Sequence, residues 1–191
     1  MSEGRIVILS GPSGVGKDTV LDAWMAVNPR VAKVVTTTTR APRPGEVPGE
    51  DYHFATPEEF EAKRLRGEFI EAKQVHGNWY ASPLQETLDA VDQGRIAVLK
   101  IDVQGAAEAV TKLPDPITVF LMPPSAEELE RRIRARAKDS EASIRLRVRN
   151  AVDEMAMADS YEHIVINDDL AQAVESLNAV VEREIIRGQP T

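Results

Sequence analysis

An α/β fold, with a parallel sheet covered by helices on both faces, is predicted by three observations. Four short apolar runs have the β-rich composition of buried parallel strands. Segments with helix-start signatures or helical periodicity separate or follow these runs. A glycine-rich turn joins the first run directly to a helix. The 191 residues suffice for one domain and fall short of two full ones.

Taken in order, the first run is Arg5 to Ser10 (RIVILS), and Arg95 to Asp102, Ile117 to Met122 and His163 to Asn167 resemble it. Thr56-Pro57-Glu58-Glu59 is a capping box with Pro at the first helical position, and Ser82-Pro83-Leu84-Gln85 and Ser125-Ala126-Glu127-Glu128 follow the same pattern. Towards the end, Leu170, Ala173, Val174, Leu177, Val181 and Ile185 fall on one helical face. Arg40 to Asp51 holds three of the 12 prolines and two glycines, and therefore reads as a loop. Glu68 to Val75 and Asn78 to Ser82 flank His76-Gly77, the pattern of a small hairpin. Residues 36–90 thus read as a lobe inserted into the α/β core.

Composition narrows the function. Acids outnumber bases by 31 to 23, giving a net charge of -8, which argues against a general binder of nucleic acid or anionic membrane. Aromatics are only 5%, too few for a base-stacking surface. The absence of cysteine excludes disulfides, thiolate metal sites and thiol catalysis. Neither a signal peptide nor a run of roughly 20 apolar residues is visible, so the expectation is a soluble cytoplasmic protein, with no nucleic acid and no membrane among its partners.

Gly11-Pro12-Ser13-Gly14-Val15-Gly16-Lys17 fits G-x-x-x-x-G-K between a strand and a helix. Such a P-loop wraps its backbone N–H groups around phosphates. The helix N-terminus adds positive potential, and the Lys reaches the outer phosphates. The sheet is accordingly of P-loop NTPase type, and the ligand a nucleoside triphosphate. Asp18 stands where Ser or Thr usually holds Mg²⁺ and is followed by Thr19. A carboxylate is itself a hard-cation donor, so Asp18 is the candidate metal ligand.

Together with the lobe, the loop resembles guanylate kinase over nearly the whole chain. The most specific stretch is Thr38-Thr39-Arg40-Ala41-Pro42-Arg43-Pro44-Gly45-Glu46, continuing through Gly49 to Asp51-Tyr52-His53-Phe54. Further matches are Glu68 to Glu71, Gly77 to Tyr80, Ile101 to Gly105, Pro123-Pro124-Ser125 and Asn167-Asp168-Asp169. The resemblance implies transfer of the γ-phosphate of ATP to GMP or dGMP, giving ADP and GDP or dGDP, with Mg²⁺ bound to ATP. It implies a GMP-binding lobe at 36–90, a helical lid at 133–145, and a core made of 1–35, 91–132 and 146–191. The enzyme would work as a monomer or homodimer. Arg40, Arg43 and Tyr52 would hold the GMP phosphate, with Tyr80 beside them and Glu46 orienting the arginines. Glu71 and Asp102 would accept the guanine donors, and Thr36 and Ser82 would place hydroxyls near the base. Lys17, Arg40, Arg132, Arg136 and Arg147 would be the catalytic cations, and Asn167 would lie near adenine.

The chain departs from the family pattern at four places. Asp18 replaces a small or hydroxylated residue, and Lys100 stands where an acid is usual. Thr36 replaces Ser, and Arg136-Ala137-Lys138-Asp139 replaces R-G-T-E. The first two predict a charge-swapped pair at the metal site. The alternative puts Lys100 towards solvent and lets Asp18 cap the helix. Two rival functions are a P-loop kinase acting on a ribosyl phosphate and a non-catalytic guanylate-kinase-like binding module.

Overall fold

In the first strand, β1 (Arg5–Ser10), alternate side chains enter two different cores, which is why the run is apolar without interruption. Val7 and Leu9 face one core, Ile6 and Ile8 the other. This computed structural model describes residues 4–75, 77–136 and 140–188. After β1 come α1 (Lys17–Val27), β2 (Val31–Lys33), β3 (Thr37–Thr38), β4 (His53–Phe54), α2 (Pro57–Leu65), β5 (Phe69–Val75) and β6 (Asn78–Pro83). The chain continues with α3 (Leu84–Asp92), β7 (Ile96–Lys100), α4 (Val103–Lys112), β8 (Ile117–Met122), α5 (Ala126–Arg136), α6 (Glu141–Met155), β9 (His163–Ile166) and α7 (Leu170–Arg187).

The main sheet has the order β2-β7-β1-β8-β9, and all its pairings are parallel. One face is covered through Trp24 of α1, Leu129 and Ile133 of α5, Ile144 and Ala151 of α6, and Leu177 and Val181 of α7. The other face packs against Ala106 and Ala109 of α4 and the partly buried Leu84, Leu88 and Val91 of α3. Helix α3 therefore belongs to the core sheet, and the expected lobe boundary at residue 90 falls inside it. The smaller sheet, β4-β3-β6-β5, is closed by Phe60 of α2, whose ring lies 4.8 Å from Phe69 and 5.9 Å from Trp79.

The capping box at Thr56 forms as expected: Thr56 Oγ1 accepts from the Glu59 N–H, and Glu59 accepts from the Thr56 N–H. Ser125 Oγ likewise accepts from the Glu128 N–H. Ser82 does not cap a helix. Strand β6 runs on to Pro83, which is the N-cap of α3, and the Ser82 hydroxyl is engaged elsewhere. The expected apolar face of α7 is buried at Ala173, Val174, Leu177, Val181 and Ile185, while Leu170, the first residue of the helix, is 39% exposed. Asp102 is not the last residue of a strand, because β7 ends at Lys100 and Asp102 caps α4. Of the expected hairpin turn, His76 lies outside the described residues.

Leu121 is fully buried in β8 at the centre of the larger core. Leu121→Ala should destabilise the fold by about 2–5 kcal/mol, read from the shift of a urea unfolding curve.

Candidate active site

The strand order places β1 between β7 and β8, neither of which is its neighbour in sequence. Ligand crevices of open α/β sheets lie outside the carboxyl ends of the strands at such a reversal. Ser10 leads there into the glycine loop, Lys100 lies beside Leu9, and Asn167 follows β9.

The loop closes on itself, with Val15 N–H donating to Pro12 O at 3.2 Å. Gly16 has φ 101° and ends the turn as the N-cap of α1; a Cβ there would lie 2.8 Å from Asn167 Nδ2. Gly11, Pro12 and Val15 are buried, whereas Ser13, Asp18 and Thr19 are exposed. Lys17 folds back, donating from Nζ to Gly11 O at 2.6 Å and Pro12 O at 3.2 Å. Burial pushes its ammonium below the usual lysine range, and Glu154, Asp18 and Asp102 pull it back in part.

Asn167, 8% exposed, lies behind the loop and donates from Nδ2 to Val15 O at 2.8 Å. Arg132 also turns to that side. Its Nη1 donates to Asn167 O at 2.9 Å, and its Nε donates to Glu128 at 2.7 Å. Both residues brace the glycine loop. Arg136 ends α5, and its side chain lies outside the described residues, as do residues 137–139 of the expected lid. Ile133 and Ile144, near the two margins of that lid, are buried in the core. Arg147 is half-buried on α6.

Between the two sheets lies a cavity of about 330 Å³ whose lining includes Thr36, Tyr52, Glu71, Tyr80 and Asp102. Five of the expected GMP residues thus meet in one place. Glu71 is 5% exposed and accepts from Ser82 Oγ at 2.8 Å. Burial pushes its carboxyl up to about 7, with the Asp102 charge adding to the rise and the Ser82 hydroxyl opposing it. Gly105 leaves room for this carboxyl, since a Cβ there would meet Glu71 Oε2 at 3.1 Å. Asp102 Oδ1 accepts from the N–H groups of Gln104 at 3.0 Å and Gly105 at 2.9 Å, while Oδ2 accepts from Lys73 Nζ at 2.5 Å. Burial alone would raise the Asp102 carboxyl, but these donors outweigh it and hold it low.

Beside the cavity, Glu46 links the two loop arginines. Its Oε1 accepts from Arg40 Nη2 and its Oε2 from the Arg43 N–H, both at 2.7 Å. Arg40 lies 5.2 Å from the Tyr52 ring centroid, and the Tyr52 and Tyr80 rings are 6.1 Å apart. Glu46 therefore orients Arg40 through its guanidinium and Arg43 through its main chain.

Sequence reasoning missed Lys33 and Lys73, which also line the cavity. Lys73 had a signal, since it lies two residues after Glu71 on β5 and so shares its face. Lys33 had none, because the three-residue β2 was not recognised. Lys100 lines the same cavity and donates from Nζ to Asp18 Oδ1, so the two departures in the sequence are in contact. Partial desolvation by neighbouring residues would raise the Asp18 carboxyl, but Lys100, Lys17 and Lys33 together hold it below its ordinary value.

The family model described as guanylate kinase matches residues 3–184. A guanylate kinase of Rubrobacter xylanophilus is 40% identical over 190 residues, covering 100% of both chains. One of Synechococcus elongatus is 44% identical over 181 residues, 95% of this chain and 99% of its own. The crystal structure of guanylate kinase from Anaplasma phagocytophilum superposes with a TM-score of 0.74 at 33% identity, covering 96% of this chain and 87% of its own. With a glycine loop and a carboxylate-lined cavity on one edge of the sheet, and relatives matched from end to end, the chain belongs to the guanylate kinase family.

Proposed function

We propose that this chain transfers the γ-phosphoryl group of ATP to GMP or dGMP, giving ADP and GDP or dGDP. The observation that carries this reading is the buried Glu71, held by Ser82 in a cavity next to the phosphate loop. Guanine presents N1–H and its exocyclic amine as adjacent donors, which an ionised carboxylate accepts together. Adenine lacks this donor pair, and a site built on such complementarity can reject the analogue by ~10⁴ or more. Asp102 takes part as a charge near the base, its oxygens already shared with α4 and Lys73. Arg40, Arg43, Tyr52 and Tyr80 bind the GMP phosphate, while Thr36 and Ser82 frame the base. The acceptor phosphate is ionised near neutral pH, so no general base is needed, and catalysis rests on positioning and charge. Lys17, Arg40, Arg132, Arg136 and Arg147 supply that charge. Arg132 and Asn167 already lie against the glycine loop, which supports their place at the ATP side of the site.

Among the described residues no cluster of three or more His, Asp and Glu could hold a metal. Mg²⁺ needs no such cage, because it keeps waters and takes one or two carboxylates with the phosphates. The exposed Asp18 at the start of α1 fits that donor set, with Thr19 beside it. Bound with ATP, the ion would neutralise charge on the phosphates. Asp18→Ser and Lys100→Glu should each lower kcat/KM by about tenfold or more, and the double variant should recover part of the loss. Losses that simply add would sink the pairing.

The direct test is ADP release with ATP and Mg²⁺, supplying GMP, dGMP, AMP or a ribosyl phosphate. Turnover with both guanine nucleotides and not with AMP is expected. Turnover with the ribosyl phosphate alone would select the rival kinase. ATP binding without any turnover would select the binding module. No helix among the described residues is long and apolar enough to cross a membrane.

A further inference from the structure

One contact of the glycine loop lies outside the proposed reaction. The Ser13 N–H donates to Glu154 Oε2 at 2.8 Å, across 141 residues of chain. Amide groups of such a loop are the donors that cradle a phosphate, and here one of them already holds an anion. The position of Glu154 is imposed by packing: Ile144 and Ala151 of α6 are buried in the larger core, with Val148 and Met155 against it. Arg147 and Glu154 are seven residues apart on α6, two turns, so they share one face of the helix. The charge of Glu154 also reaches Lys17, where it favours the ammonium form.

We propose that Glu154 is a stand-in for a nucleotide phosphate, occupying the cradle until ATP displaces it. A carboxylate and a phosphate oxygen repel each other when they face one N–H donor, so ATP must expel Glu154 to bind. The contact therefore weakens ATP binding and ties occupancy of the loop to release of the Glu154 side chain, two turns along α6 from Arg147. This rests on the reading of the loop as a triphosphate site.

The test is calorimetric binding of ATP, with and without Mg²⁺, and of inorganic tripolyphosphate to the full chain. Glu154→Ala should bind both roughly tenfold more tightly than the wild type, because a negative charge beside the phosphates is gone. Glu154→Gln, which keeps an acceptor for Ser13 but loses the charge, should fall between the two and guards against a fold defect in the Ala variant. In unliganded Glu154→Ala the Ser13 amide proton should move upfield by NMR, and tripolyphosphate should move it back. Equal or weaker binding by folded variants would overturn the stand-in alone. Failure of the wild type and both variants to bind ATP or tripolyphosphate would overturn the triphosphate reading, and this inference with it.

Discussion

Lys17→Met should lower kcat by about 10³, more than it weakens ATP binding. The ammonium is among the cations nearest the phosphate cradle, and its worth grows as charge moves during transfer. In the structure it rests on Gly11 O and Pro12 O, neutral acceptors that the more strongly charged phosphate oxygens would replace. Single-turnover kinetics with a direct measurement of ATP affinity separates the two effects. Equal loss in binding and in kcat/KM, with kcat preserved, would reduce Lys17 to a ground-state contact.

Glu71→Gln should lower kcat/KM for GMP by about 10² to 10⁴, because the amide offers one acceptor where guanine presents two donors. The loss should come with a changed pH dependence. The Glu71 carboxyl is raised from 4.5 to about 7, chiefly by burial, and only its ionised form accepts both donors. Guanosine binding by the wild type should therefore weaken as pH falls through about 7, and binding by Glu71→Gln should stay flat. Guanosine is the right probe, since it carries no phosphate that titrates in this range. Stability runs the other way. Between 4.5 and about 7 the unfolded chain has already lost the proton that the folded chain keeps, so unfolding is favoured as pH rises across that window. Thermal melts of Glu71→Gln should lack this component.

The centre of the main sheet was legible because β1, β7 and β8 are buried on both faces, leaving continuous apolar runs such as Ile6 to Leu9. The short strands β2, β3 and β4 carry two or three residues each, too few for any periodicity. Ser82 shows where a local pattern misleads. Ser-Pro-Leu-Gln reads as a helix start, but the hydroxyl is claimed by Glu71, eleven residues away across a hairpin. The glycine loop was legible from spacing alone, whereas Glu71, Asp102 and the loop arginines were marked only by resemblance. Nothing in the residues around Glu154 announced its contact with Ser13, because that contact depends on how α6 packs.

Asp102 divides its two oxygens between a helix and a lysine of the cavity. That division governs how such a chain can change its substrate over generations. Any replacement at 102 that lacks a short acceptor unpins the start of α4, costing about 1 kcal/mol before any benefit to a new base appears. Glu71 caps nothing, and it is held by Ser82 on the next strand. With these three residues placed around the base as proposed above, drift towards another base is open at 71 and 82 and closed at 102, so Asp102 should be the last of the three to vary.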